Sequence, residues 1–180
     1  MKLRRATTKD LERIVDINND SAKWVGGEAT IEDMKEYLTI SRSFIVAKGP
    51  QGKVQGFIIT MDDTSDYDSV NFLWFKERYY HFCYVDRIVI DKEHRKQGYA
   101  SALYHCACEG QPFDVVGEIL VYPYWNEDSI IFHVRHGFEK VGVITHKNGN
   151  HCVMYRLDRN IIVGETKDGL NKLGLFKITE

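Results

Sequence analysis

Residues 84–100, YVDRIVIDKEHRKQGYA, decide how the rest of the chain is read. The apolar run Tyr84 to Ile90 has the composition of a buried strand, and it passes through a charged turn into Arg95-Lys96-Gln97-Gly98-Tyr99-Ala100. Beyond the turn, Ala102, Leu103, Cys106 and Ala107 recur at three- and four-residue spacing, which predicts a helix. A strand ending in a basic, glycine-containing turn that opens a helix suits an anionic group. The first backbone N–H groups of a helix lack internal partners, and its dipole makes that end partly positive. Gly98 lets the backbone approach an anion closely, and Arg95 and Lys96 add charge beside it.

Bulk properties limit the function classes. A chain of 180 residues is one domain, or one domain with an appendage, and 43% hydrophobic residues can bury a sizeable core. The net charge of −2 argues against a dedicated nucleic-acid binder. No apolar run is long enough to span a bilayer, and the start of the chain lacks the apolar core of a signal peptide. The expectation is therefore a cytoplasmic protein that engages neither nucleic acid nor membrane. Cys83, Cys106, Cys108 and Cys152 form no disulfide framework in such a chain, and Cys106-Ala107-Cys108 lacks zinc spacing. They read as buried thiols, with no metal site.

Outward from the opening stretch, residues 2–6 read as a strand, followed by an amphipathic helix carrying Leu11, Ile14 and Val15. A second helix begins after Thr30, and two β-branched runs, 43–48 and 54–61, flank Gly49-Pro50-Gln51-Gly52 as a hairpin. Residues 62–82 shift from Asp62, Asp63, Asp66 and Asp68 to a run of aromatics, either a helix packed on the core or a lid over a site. Downstream come a strand at about 115–122 ended by Pro123, and a helix from about Asn126 to His136 with Gly137 as its C-cap. Two further strands, about 138–145 and 151–158, are joined by a turn containing Asn148-Gly149. The order β-α-α-β-β-(insert)-β-α-β-α-β-β alternates only in its middle. That implies a mixed α/β (α+β) sheet, mostly antiparallel, with one central parallel pair. The domain spans 1–158, and 159–180 forms a C-terminal extension, an added strand or arm or a partly flexible segment.

The phosphate ligand can be narrowed by residues. No Gly-x4-Gly-Lys-Ser/Thr loop is present, and Gly98 alone cannot make a Gly-x-Gly-x-x-Gly dinucleotide fingerprint. What is present is Arg-x-x-Gly-x-Ala at 95–100, directly after a strand, followed by Asn126, Ser129, Phe132-His133 and Gly137-Phe138. In both motifs and their order the chain resembles the GNAT superfamily of acetyl-CoA-dependent N-acetyltransferases, from residue 2 to about 158. The resemblance implies a central parallel strand pair splayed to admit coenzyme A. The backbone of Ile88, Val89 and Ile90 would pair with the pantetheine amides like an added strand. The N–H groups of Lys96, Gln97, Gly98, Tyr99, Ala100 and Ser101 would cradle the pyrophosphate, with Arg95 as charge partner. Asn126 would hydrogen-bond the pantetheine arm, supported by Ser129.

Acetyl transfer needs a neutral amine, a stabilised oxyanion and a proton for the leaving thiolate. Most members of the family carry a Tyr five residues before the Phe of Gly-Phe; here that position is His133, as in a less characterised subgroup. His133 is a candidate acid as an imidazolium, or a cofactor contact that moves no proton. Asp86 and Glu118 are carboxylates inside apolar strands, which are costly to bury unless paired or open to a cleft. Asp86 is the first candidate for base or amine anchor and Glu118 the second; pairing of Asp86 with an arginine such as Arg87 is the rival explanation. Trp74, Tyr79 and Tyr80 of the aromatic insert would shape an amine pocket, or serve core and lid packing.

The implied function is transfer of acetyl from acetyl-CoA to the primary amine of a small molecule, by direct attack in a ternary complex. The alternatives are a non-catalytic acyl-CoA sensor of the same fold and a protein N-terminal or lysine acetyltransferase. An exposed edge strand and the extra tail are compatible with a homodimer.

Overall fold

The computed structural model describes residues 1–108 and 113–159. The expected C-terminal extension therefore lies, from residue 160 on, outside the described residues. Among the described residues, seven strands form one sheet: β1 (Lys2–Arg5), β2 (Ser43–Lys48), β3 (Val54–Asp62), β4 (Phe82–Ile90), β5 (Asp114–Tyr122), β6 (Glu139–Thr145) and β7 (His151–Leu157). Their order is β1-β2-β3-β4-β5-β7-β6, and every neighbouring pair is antiparallel except the parallel β4–β5 at the centre. The helices are α1 (Leu11–Asn19), α2 (Ile31–Ile40), α3 (Val70–Lys76), α4 (Tyr99–Cys108) and α5 (Glu127–Arg135).

Side-chain alternation along the central strands builds two cores, one on each face of the sheet. Phe44, Val46, Phe57, Ile59, Phe82 and Tyr84 point to the face covered by α1, α2 and α3, where they meet Leu11, Ile14, Met34 and Phe72. Their sequence neighbours Ile45, Ala47, Ile58, Cys83 and Val85 point to the other face, against Tyr99, Leu103 and Ala107 of α4. Of the four cysteines, Cys83, Cys108 and Cys152 are buried as expected, whereas Cys106 is exposed. Leu103 and Ala107, about one helical turn apart, share the inward face, and Cys106 falls outside it.

Local chemistry sets the element ends. Thr30 and Asp33 close a reciprocal capping box at the start of α2, with Thr30 Oγ1 accepting from the Asp33 N–H at 3.2 Å and Asp33 accepting from the Thr30 N–H at 2.7 Å. Gly137 ends α5 in the left-handed region at φ 82°, returning the Phe138 N–H to the His133 carbonyl at 3.0 Å. The aromatic insert resolves into α3, packed on the core: Phe72 and Phe75 are fully buried.

The feature that positions a site is the short pairing of β4 with β5. It runs only from Phe82↔Asp114 to Val85↔Gly117, after which the strands part. From Asp86 on, β4 continues to pair with β3 through Arg87↔Ile59, Ile88↔Ile58 and Ile90↔Gly56, but not with β5. No helix among the described residues is long and apolar enough to cross a membrane.

Candidate active site

Where β4 and β5 part, a cleft of about 540 Å³ opens. Its walls are Val85 to Ile88 of β4, Gly117 to Leu120 of β5, Tyr104 of α4 and Ser129 and His133 of α5. The turn Ala22–Gly27 and His146, Asn148 and Asn150 of the β6–β7 loop complete it. Asp86, Glu118, Ile88, Asn126, Ser129 and His133, expected from sequence, all meet in this cleft.

Glu118 lies partly buried on β5, and both its oxygens accept from the Tyr84 hydroxyl, at 2.9 and 3.1 Å. Burial, followed by the nearby charge of Asp86, pushes its carboxyl up to about 8, against the stabilising hydrogen bonds of Tyr84 and Asn71. Asp86 is held differently. Arg87 Nε donates to its Oδ2 at 2.9 Å, and the Tyr67 hydroxyl donates to its Oδ1 at 2.5 Å. Arg87 in turn reaches Asn18 Oδ1 at 2.9 Å and the Tyr37 hydroxyl at 3.1 Å. The rival explanation for Asp86, pairing with arginine, thus describes its contacts, and the partner is its own chain neighbour.

His133 is 7% exposed. Its Nδ1 lies 2.7 Å from the Ser129 carbonyl, which can only accept, so Nδ1 carries the proton. Nε2 is therefore an acceptor, and the Tyr104 hydroxyl donates to it at 2.6 Å. Burial pushes the ring down to about 4, so it is neutral at neutral pH. The expectation of an imidazolium acid is corrected on this point: an apolar site among Phe132, Phe138 and Tyr155 disfavours the cation.

The turn 95–101 has the expected shape. Lys96 and Gly98 take φ of 60° and 82°, and α4 begins at Tyr99. A Cβ at Gly98 would meet nothing within 4 Å, so the backbone there faces open space. The Ala102 N–H bonds the Gly98 carbonyl, leaving the N–H groups just before it as the unpaired helix start. The flanking side chains are engaged within the protein. Arg95 donates to Ser21 Oγ at 3.1 Å and to the Ile90 carbonyl at 3.3 Å, and Gln97 donates to the Glu93 carbonyl. Lys96 Nζ is 3.5 Å from Asp128, and the Ser101 hydroxyl donates to His136 Nε2 at 3.1 Å. Tyr99 is buried, and Ala100 follows it in the first turn of the helix. Asn126 caps α5, its Oδ1 accepting from the Ser129 N–H at 3.3 Å.

Val89 and Ile90 do not line the cleft: Val89 points into the core and Ile90 covers Gly56. A role for them rests on backbone alone. Trp74, Tyr79 and Tyr80 also lie away from it. Trp74 packs over Gly142 of β6, Tyr79 carries the Arg156 guanidinium 5.1 Å from its ring centre, and Tyr80 is 90% exposed. The helical period explains this, because α3 directs Phe72 and Phe75 inward and leaves the residues after it at the sheet's β6–β7 end. The insert does reach the cleft, through Tyr67, Ser69 and Asn71, which sequence reasoning did not select. Tyr84 and Tyr104 were also missed. The available signal was a hydroxyl at the end of an aromatic ring in an otherwise apolar strand or helix, which needs a partner when buried.

The sequence profile of the acetyltransferase (GNAT) family matches residues 11–138. Among proteins of curated function, none matches this chain at the sequence level. Solved structures share the fold. The ribosomal-protein-alanine N-acetyltransferase of Brucella melitensis aligns at TM-score 0.64 and 19% identity, over 87% of this chain and 99% of its own. NAA60 of Arabidopsis thaliana in complex with acetyl-CoA aligns at TM-score 0.65 and 17% identity, over 87% and 98%. The phosphinothricin acetyltransferase of Sinorhizobium meliloti in complex with acetyl-CoA aligns at TM-score 0.63 and 20% identity, over 87% and 86%.

Proposed function

The chain belongs to the GNAT acetyltransferase family, and from that premise we propose that it moves acetyl from acetyl-CoA to the primary amine of a small cationic molecule, with Glu118 as the base. The observation carrying this reading is a carboxylate whose pKa burial has raised to about 8, facing the cleft where the central strands part. A primary amine enters as an ammonium ion and must lose a proton before it attacks. A base poised near the working pH removes that proton most effectively. Asp86 fits this task less well, because a guanidinium and a hydroxyl each hold one of its oxygens, whereas the two oxygens of Glu118 share the single proton of the Tyr84 hydroxyl. Its place in the reading is to keep Glu118 basic by its charge and to hold the β4 wall.

The donor would lie along the free edge of β4, with Ile88 to Ile90 offering backbone groups to the pantetheine amides. Its pyrophosphate would rest on the N–H groups of 96–101, and Asn126 and Ser129 would flank the arm. For the acceptor, a second cleft of about 550 Å³ shares Tyr67 and Arg87 with the first. Glu28, Asp33, Glu36, Asp66 and Asp68 surround it. Five carboxylates favour a cation through the summed field of the cleft. Trp24 meets Tyr124 edge-on at 5.8 Å beside the first cleft, which supports a small acceptor over a polypeptide.

The test is release of coenzyme A thiol from acetyl-CoA across a panel of small mono- and polyamines and of peptides with free N-termini or lysines. The expected result is turnover on small cationic amines. Turnover on peptides alone would favour protein acetylation, and tight donor binding with no turnover would favour the sensor.

A further inference from the structure

Neutral His133 leaves the departing thiolate without an obvious proton donor, and the protic groups of the cleft differ in how firmly they are held. The Tyr67 hydroxyl donates to Asp86 in a charge-assisted bond, and the Tyr84 hydroxyl is committed to both oxygens of Glu118. The Tyr104 hydroxyl donates instead to the uncharged His133 Nε2. A neutral bond of that kind is weaker than a charge-assisted one and is released more readily. Tyr104 also stands on the helix whose first turn would hold the pyrophosphate, so one rigid element would position both ends of the donor.

From this arrangement we infer that Tyr104 is a catalytic residue that protonates the coenzyme A thiolate, and that His133 is a positioning residue acting through it. The inference rests on the acetyltransferase reading above. In the resting site the phenol points at Nε2, and its in-plane O–H has a second orientation away from the ring nitrogen. Attack by the neutral amine on the thioester carbon gives a tetrahedral intermediate. As that intermediate collapses, the C–S bond breaks and its electron pair goes to sulfur. The phenol O–H turns to sulfur and transfers its proton, forming the S–H bond and leaving a phenolate. The proton still carried by the newly acylated nitrogen then returns to the phenolate. The first proton of the incoming ammonium stays on Glu118 until it exchanges with solvent, so protons and charge balance. Burial holds the Tyr104 phenol well above its ordinary pKa, so it is protonated and ready at neutral pH.

His133 has two tasks in this scheme. Its Nδ1–H, fixed on the Ser129 carbonyl, sets the tautomer, and its Nε2 lone pair keeps the phenol aimed at the cleft wall between uses. A residue acting only in packing would not depend on which atom it presents to the phenol.

The experiment measures kcat, KM and the acetyl-CoA dissociation constant for wild type, Tyr104→Phe, His133→Gln, His133→Leu and the double variant Tyr104→Phe/His133→Leu, each checked for folding by circular dichroism. Tyr104→Phe keeps the ring and is expected to lower kcat by about 10²- to 10³-fold, with the dissociation constant for acetyl-CoA changed less than about threefold. His133→Gln keeps an acceptor and is expected to retain more of kcat than His133→Leu. The double variant is expected to be no slower than Tyr104→Phe alone. Wild-type turnover with undiminished kcat in Tyr104→Phe would overturn the assignment and leave the enzyme reading intact. Additive losses in the double variant would overturn the positioning role of His133. Absence of wild-type turnover on every acceptor would overturn the enzyme reading and this inference together.

Discussion

Two carboxylates on facing strands, Asp86 and Glu118, show how identical chemistry diverges with its contacts. Asp86 has a guanidinium and a phenol on its two oxygens, so its charge is compensated. Glu118 has only neutral donors and feels Asp86 as well, so its proton is retained up to about 8. The sign of the consequence follows directly. A base that must be ionised gives activity that rises with pH through about 8, and Glu118→Gln should remove that limb while lowering kcat by about 10²- to 10⁴-fold. Besides burial, the groups around Glu118 that set the limb are Tyr84 and Asp86 from β4 and Asn71 from α3. For stability the effect is opposite. The folded pKa exceeds the unfolded one, so the folded state binds the extra proton, and stability falls as pH rises from about 5 to 8. Denaturation of Glu118→Gln across that window should show a flatter profile than wild type. Asp86→Asn leaves the partly buried Arg87 without its carboxylate and should cost about 1–3 kcal/mol, read from denaturant unfolding.

At the scale of elements, the first turn after β1 depends on one carboxylate. Asp10 accepts from Arg4 at 2.7 and 2.8 Å and from the Thr7 N–H and hydroxyl at 2.9 and 2.8 Å. Burial alone would raise its pKa, but these donors outweigh burial and hold it at about 2. The contribution is complete above the ordinary carboxylate range and is lost as pH falls through about 2. Asp10→Asn should destabilise by about 1–3 kcal/mol at neutral pH, with a difference from wild type that shrinks in acid. At the opposite edge of the sheet, a Cβ at Gly142 would sit 2.6 Å from the Trp74 ring. Gly142→Ala should therefore cost about 1–3 kcal/mol by overpacking, and a smaller residue at 74 should recover part of it. The Gly142–Trp74 contact also marks the limit of sequence reading. The capping box at Thr30, the C-cap at Gly137 and the turn at Asn148-Gly149 are local, so neighbouring residues reveal them. Trp74 could be read as pocket or core with equal ease, because its partner lies on a strand 68 positions away.

The whole molecule follows the same division. The element order and the single parallel pair were legible, because strand and helix periods alternate only around residues 84–138. The convergence of Asp86, Glu118, Asn126, Ser129 and His133 on one cleft was legible from motif order. What could not be read was the company each side chain keeps. That Tyr104 meets His133 depends on how α4 and α5 pack on one face, and that Tyr67 meets Asp86 depends on where the insert folds back. In the reading proposed above, those contacts place Glu118 before Asp86 as the base, and Tyr104 supplies the proton that His133 Nε2 accepts. The proposed acetyl transfer therefore depends most on one geometry: a donor laid as an added strand into the gap between β4 and β5, with its phosphates on the first turn of α4. Amide hydrogen exchange with and without coenzyme A measures this directly and needs no knowledge of the acceptor. New protection is expected at the amides of Asp86–Ile90 and Lys96–Ser101, with β1 and β6 unchanged. Protection confined to other elements, with those two stretches unaffected by the ligand, would contradict it.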